Sequence, residues 1–262
     1  MISVDTAALS ARLRTIESVA VMTRASSTNA LARRIVNDCL DTGLHAPSAI
    51  LIAGEQYAGR GRSSRTWVSP PGAGIYATTI HTRPADELAM VPLAVANMIA
   101  TLLRRQYGID ARIKWPNDIL VDGRKIAGIL IEARTQDANS ILIIGTGINV
   151  ARADRPTVVN ATSIAELIGY QVDLSEAVVG FVEELDEVLS SPLKRKDVLG
   201  DWRALALHRE GDAVQCLIGS RNVSGAWAGI DDWGRAVLRK DGEDTVISAG
   251  ELYMADDSLD EL

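Results

Sequence analysis

The stretch Ala49-Ile50-Leu51-Ile52-Ala53, running into Gly54-Glu55-Gln56-Tyr57-Ala58-Gly59-Arg60-Gly61-Arg62-Ser63-Ser64-Arg65-Thr66-Trp67, decides how this chain is read. Five consecutive apolar residues are short enough for a buried strand. The pattern then breaks: Gly54 to Gly74 holds five glycines, two prolines and three arginines and has no apolar period. Strand character returns at Ile75–Arg83. An irregular segment of about twenty residues inside a compact domain is usually functional or disordered. Glycine lets backbone approach a ligand closely, and arginine offers a planar, permanently charged fork for phosphate or carboxylate. The loop therefore reads as an anion cradle. Neither nucleotide loop signature fits, because no Gly-Lys-Ser/Thr follows and the next element is a strand rather than a helix. A solvated arginine turn is the bland alternative, but such turns rarely combine this many glycines with a tryptophan.

Working outward, residues 5–17 read as a short amphipathic helix, and Ser26–Asn29 supply capping residues for a helix reaching Leu40. Leu88–Tyr107 is the longest helical pattern and is largely apolar. Ala111–Trp115, Ile119–Val121, the turn Asp122-Gly123 and Lys125–Arg134 give a hairpin signal, and Ile141–Val150 a further strand. Helical patterns follow at 163–168, 175–189 and 196–207. After Glu210-Gly211-Asp212, four or five short strands in about 45 residues fit a small β-barrel. These patterns divide the chain at 1–209 and 210–262.

The chain has 262 residues, of which 47% are hydrophobic and 23% charged, enough for a packed core. There is neither an apolar run of membrane-spanning length nor a signal-peptide core. The net charge of −7 argues against a non-specific nucleic-acid binder. Residues 251–262 hold five of the acids (Glu251, Asp256, Asp257, Asp260, Glu261) and read as a solvated tail; the rest has 27 bases against 29 acids. Cys39 and Cys216, far apart, read as two reduced buried thiols in a cytoplasmic protein. Only five residues are lysine. Two of them, Lys114 and Lys125, stand eleven residues apart across the hairpin. Strand alternation puts Lys125 on one face with Ala127, Ile129 and Ile131. A lysine there either meets an anion or snorkels to water, and spacing leaves both open. Asn117 and Asp118 follow a proline, and turn chemistry alone accounts for them.

Five motifs stand in order: Ser27-Thr28-Asn29; the Gly59–Trp67 loop with 69–76; Lys114-Trp115-Pro116-Asn117-Asp118; Lys125-Ile126-Ala127-Gly128; and Gly145-Thr146-Gly147-Ile148-Asn149. Together they resemble the biotin protein ligases, also called biotin–[acetyl-CoA-carboxylase] ligases, and the helices and terminal barrel extend the likeness to nearly the whole chain. The resemblance implies an α+β fold similar to the catalytic domain of class II aminoacyl-tRNA synthetases, a mixed sheet flanked by helices, plus an SH3-like C-terminal barrel. It implies an enzyme that joins biotin to ATP, with Mg²⁺ bound mainly through the ATP, and passes the biotinyl group to one lysine of a biotin carboxyl carrier protein domain. By the same likeness Ser27, Thr28, Asn29 and Gln56 meet the biotin head. Gly59, Arg60, Gly61 and Arg62 close over it, Lys125 meets its carboxylate, and Gly128 and Gly145 wall the pocket. Arg62, Arg65, Trp67, Asn117 and Asn149 fall to the nucleotide, and Arg60, Lys125, Asp118 and Lys114 to the chemistry.

The family loop usually has glycine where Ser64 stands; were φ positive there, serine would cost about 1 kcal/mol or change the loop's path. Some members carry an N-terminal DNA-binding domain and act as repressors. About 25 residues precede Ser26, too few for that domain, so a biotin-responsive regulator is the weaker alternative. A lipoate or octanoate ligase on the same scaffold is another. Some members form dimers by sheet extension, and no edge-strand signal here decides for or against a homodimer.

Overall fold

A computed structural model describes residues 2–136, 138–151 and 160–255, the side chains of Ser64 and Gln136 excepted. The first element, α1, spans only Thr6–Ser10 and is capped by Asp5, whose side chain accepts from the Ala8 amide. The helix expected over 5–17 stops there. The carboxylate of Asp186 instead gathers the next backbone turn, accepting from the amides of Arg14 (2.6 Å), Thr15 (2.9 Å) and Ile16 (2.8 Å) and from the Thr15 hydroxyl (2.9 Å). Burial pushes the Asp186 carboxyl up, yet these four donors outweigh it and hold it below the ordinary carboxylate range. The chain then enters β1 (Ser18–Met22), a strand the sequence reading lacks.

Helix α2 (Thr28–Thr42) follows, with Ser27 as N-cap and Gly43 ending it in the left-handed region at φ 71°. Strands β2 (Ala49–Ala53) and β3 (Gly74–Pro84) flank the Gly/Arg loop. Next come α3 (Val91–Tyr107), β4 (Arg112–Lys114), β5 (Asp118–Val121), β6 (Arg124–Gln136) and β7 (Asn139–Asn149). The seven strands form one mixed sheet in the order β1-β2-β3-β7-β6-β5-β4, parallel at β1–β2 and antiparallel elsewhere.

The two faces of this sheet are covered differently. One receives α3, α5 (Leu174–Ser190) and α6 (Arg195–Leu205), with the short α4 (Ile164–Ile168) before them. Its core includes Ile50, Ile52, Ile75, Leu142, Ile144, Ile99, Phe181 and Trp202. Each such side chain contributes roughly 1.5–3 kcal/mol on burial. The other face is covered by α2 alone, through Ala32 and Val36 against Leu51, Ile80, Ile141 and Ile143. This helix shields only part of that face, and the sheet beyond its N-terminus is left for the loop.

Strands β8 (Ala213–Ile218), β9 (Arg221–Ile230), β10 (Ala236–Lys240), β11 (Glu243–Ile247) and β12 (Glu251–Met254) form a second, antiparallel sheet in the order β11-β10-β9-β8-β12. Two expectations change here. Glu251 is not a tail residue but opens β12, paired with Leu217; Asp256, Asp257, Asp260 and Glu261 lie outside the described residues. Of the two free cysteines, Cys216 is buried but Cys39, near the C-terminal end of α2, is half-exposed. Among the described residues, no helix is long and apolar enough to cross a membrane.

Candidate active site

Beyond the end of α2 the sheet is paved with glycine, and this follows from what lies on it. A Cβ on Gly145 would stand 2.0 Å from Asn29 Oδ1, and one on Gly147 2.4 Å from the Trp67 indole. A Cβ on Gly128 would fall 2.9 Å from the same indole and 3.1 Å from Lys125 Cε. Side chains on these three positions would fill a cavity of about 1200 Å³.

One end of the cavity is polar and neutral. Gln56 Oε1 accepts from the Thr28 amide (2.8 Å) and hydroxyl (3.1 Å), while its Nε2 donates to Ser69 Oγ (2.9 Å). The Thr78 hydroxyl lies 2.7 Å from Thr28 Oγ1 and 2.8 Å from Asn29 Oδ1, and Asn29 Nδ2 donates to the Leu130 carbonyl (3.2 Å). Ser27, Thr28 and Asn29 are all buried. Three buried polar atoms in the cavity wall, Trp67 Nε1, Thr146 Oγ1 and Asn149 Oδ1, have no hydrogen-bond partner among the described residues. Such atoms are costly unless something occupies them.

The other end is cationic. The loop folds on itself through Trp67 N→Gly59 O (3.0 Å) and Gly61 N→Arg65 O (2.8 Å). Its short 3₁₀ turn, Arg62–Ser64, contains a left-handed residue, and this is Ser63 at φ 52° rather than Ser64. Arg60, Arg62 and Arg65 all line the cavity. The Arg62 guanidinium donates to Asn117 Oδ1 (3.2 Å) and to the Gly250 carbonyl (3.4 Å). Burial lowers its pKa, against the pull of Glu251 and Asp118.

Lys125 reaches this end by an irregularity that periodicity does not reveal. In the β5–β6 ladder Ile119 pairs with Ala127 but Leu120 pairs with Lys125, so Ile126 is one residue too many. This bulge reverses the alternation. Ile126, Ala127 and Ile129 all lie in the large core, whereas Lys125 sits beside Gly128 on the opposite face. The expected shared face of Lys125, Ala127, Ile129 and Ile131 is therefore wrong. Lys125 Nζ lies 2.6 Å from Asp118 Oδ1 and 5.2 Å from the Trp67 ring centroid. Asn117 Nδ2 donates to the Ile129 carbonyl (2.8 Å), and Asn149 Nδ2 to those of Thr162 (2.9 Å) and Lys125 (3.4 Å). Lys114 Nζ stands 4.6 Å over the Tyr253 ring.

All the residues singled out from sequence thus line one cavity, except Gly59, which packs under the Trp67 carbonyl and fixes the loop instead. The sequence reading missed the wall contributed from the C-terminal half: His208, Glu251, Leu252 and Tyr253. The short apolar run Leu252-Tyr253-Met254 is a strand signal, but nothing in it points toward a cavity built mostly from residues far earlier in the chain.

Comparison with known proteins bears on the family and the fold. The profile of the Biotin/lipoate A/B protein ligase family matches residues 21–149. A biotin–[acetyl-CoA-carboxylase] ligase of Paracoccus denitrificans is 33% identical over 251 residues, covering 89% of this chain and 99% of its own. One from Mycobacterium tuberculosis is 30% identical, covering 88% and 87% respectively. The fold is similar to that of the Aquifex aeolicus biotin protein ligase solved with biotin and ATP, with a TM-score of 0.75, 24% identity, and coverage of 90% and 99%. The chain belongs to the biotin/lipoate A/B protein ligase family.

Proposed function

We propose that this chain activates biotin with ATP and transfers the biotinyl group to a lysine of the biotin carboxyl carrier domain of a carboxylase. Residues 1–209 would form the catalytic part and 210–262 the barrel module beside it. The observation that carries the reading is one cavity with a neutral donor–acceptor end (Thr28, Asn29, Gln56) and a cationic end (Arg60, Arg62, Arg65, Lys125). Biotin has that polarity: a ureido ring offering donors and acceptors, a tail, and a carboxylate.

In the first step a biotin carboxylate oxygen attacks the α-phosphorus, the bond between that phosphorus and the oxygen bridging to the β-phosphate breaks, and pyrophosphate leaves. Two anions must meet, so cations are needed where they do. Lys125, carried across the sheet by the bulge, would meet the carboxylate, and Arg60 and Arg62 the nucleotide phosphates. Each well-placed donor is worth about 3–4 kcal/mol in the transition state. Trp67, Asn117, Arg65 and Asn149 would hold the nucleotide. Mg²⁺, when bound with the triphosphate, neutralises its charge. No group of three His, Cys, Asp or Glu side chains among the described residues could hold a metal, and the two carboxylates near the cations, Asp118 and Glu251, are already paired. These residues fit a metal carried by the phosphates.

In the second step the carrier's lysine amine attacks the acyl carbon, the mixed anhydride breaks, AMP leaves and one proton is released. Asp118 would take that proton, with Lys125 setting its orientation. Lys114 would complete the charge balance at the mouth. Closure of the loop over the adenylate keeps water from hydrolysing it.

The test is incubation of the folded protein with biotin, Mg-ATP and an apo carrier domain, followed by mass spectrometry of the carrier. Gain of one biotinyl group on one lysine is expected. Absence of both adenylate and modified lysine would overturn the reading, and transfer of lipoate or octanoate in place of biotin would move the chain to the other branch of its family.

A further inference from the structure

The Gly/Arg loop, the Lys114–Asp118 turn and strand β12 come from three distant parts of the chain, yet one residue touches all three directly or through one neighbour. Tyr253 is buried, with its ring beneath Lys114 Nζ at 4.6 Å. Its hydroxyl donates to Glu251 Oε2 at 2.5 Å. The other oxygen of that carboxylate pairs with the Arg65 guanidinium of the loop. Glu251 is about four-fifths buried while Arg65 is mostly exposed, so the fixed partner is the carboxylate and the held partner is the arginine.

An arginine–carboxylate pair at a surface is normally worth little, because two long side chains must be ordered to make it. Here half of that ordering is already done. Glu251 lies in the β12–β8 ladder, and the Tyr253 hydroxyl fixes its rotamer. The Gly250 carbonyl, one residue before, accepts from Arg62 of the same loop. The loop is therefore gripped at two arginines by consecutive residues, Gly250 just before β12 and Glu251 at its start. Burial, with the adjoining carboxylate, pushes the Tyr253 phenol up to about 12, so it remains a donor throughout the working pH range.

We infer that Tyr253 is a positioning residue for adenylation: it sets Glu251 against Arg65, and thereby fixes the closed path of the loop, while its ring locates the Lys114 ammonium at the mouth. Nothing in this requires Tyr253 to touch substrate. The inference rests on the ligase reading, and it makes the C-terminal sheet part of the lid rather than an appendage.

The experiment compares wild type with Tyr253→Phe, which keeps the ring, and Glu251→Gln, which keeps the shape but not the charge. Biotin affinity is measured by calorimetry, KM for ATP and kcat by pyrophosphate exchange, and escape of biotinyl-adenylate by its hydrolysis without carrier. Both variants should bind biotin within about twofold of wild type and leak adenylate about fivefold faster, the size expected for one partly exposed charged pair. KM for ATP should rise more than kcat falls. Arg65→Ala should leak similarly, and Arg65→Ala with Glu251→Gln no more than Arg65→Ala alone, since both break the same contact. Tyr253→Phe and Glu251→Gln with unchanged leakage, or additive effects in the double variant, would overturn the inference. A wild type that forms no adenylate would instead overturn the ligase reading, so the two failures are distinct.

Discussion

Gly145→Ala offers the sharpest test of the glycine floor. The added Cβ would lie 2.0 Å from Asn29 Oδ1 and 2.6 Å from its Cγ and Nδ2, whereas ordinary contact begins near 3.4 Å. Asn29 must therefore retreat by about 1.4 Å, the difference between those distances. At that displacement it loses the Thr78 hydroxyl and the Leu130 carbonyl. Each lost hydrogen bond costs about 1 kcal/mol, and a buried group left unpaired roughly 1–3 kcal/mol. The expected destabilisation is thus about 2–4 kcal/mol, or on the order of 5–10 °C in melting temperature for a chain of this size. Biotin affinity should fall by about 100-fold, since ~1.4 kcal/mol is a factor of ten and the head site loses the better part of two contacts. Calorimetry supplies both readouts. The control is Asn29→Ala in the same background: with the colliding amide removed, Gly145→Ala should cost no further stability. A single variant with unchanged melting and biotin binding, or a double variant as unstable as the sum of the two, would refute the steric argument.

Four other predictions follow from the same geometry. Lys125→Ala should reduce pyrophosphate exchange by on the order of a hundredfold or more; near-normal exchange would remove Lys125 from the adenylation step. Arg60→Ala should change biotin binding little but raise adenylate leakage in the absence of carrier, and unchanged leakage would contradict its place over the phosphates. Asp186→Asn should cost about 2–3 kcal/mol in urea unfolding at pH 7, since four donors lose a charged acceptor. Because the folded carboxyl lies below its unfolded value, wild type should keep this contribution above about pH 4 and lose it as pH falls through the folded pKa, and the variant should lack that acid-dependent loss. A parallel pH dependence in both proteins would refute it. Finally, a thiol reagent at pH 8 should label Cys39 rapidly in the native protein but Cys216 only in denaturant, because Cys216 is fully buried and burial pushes its thiol up to about 11; rapid labelling of both would overturn that placement.

What could be read from the sequence was what chemistry and local pattern encode. Ser27 caps α2, β2 spans the apolar run 49–53, and the hairpin turn falls at Asp122-Gly123, because each depends on residues within a few positions of itself. The motif residues line one cavity because the glycines of β6 and β7 and the loop and turn residues around them share one face of the sheet. What escaped depended on contacts across the chain. The end of α1 is set by Asp186, some 170 residues later. Strand β1 exists because β2 offers it an edge, and its five residues alternate only between exposed and half-buried, too weakly to announce a strand. Glu251, read as one more acid of a tail, gained its role only when β12 lay against the loop.

The bulge at Ile126 has a meaning beyond the placement of one side chain. Strands bordering a core must obey a two-residue rhythm, which assigns every position to oil or to water and leaves no freedom to choose which residue meets the substrate. By inserting a single beat, β6 runs two rhythms in sequence: the downstream one is dictated by packing, and the upstream one is free to present an ammonium. The apolar residues of the strand can therefore exchange among themselves without moving the lysine, whereas straightening the bulge with Ile126 kept in regular pairing would turn the lysine to the hydrophobic side even though every motif residue were retained. The phase of the backbone, rather than any one side chain, is what assigns this strand its chemical task.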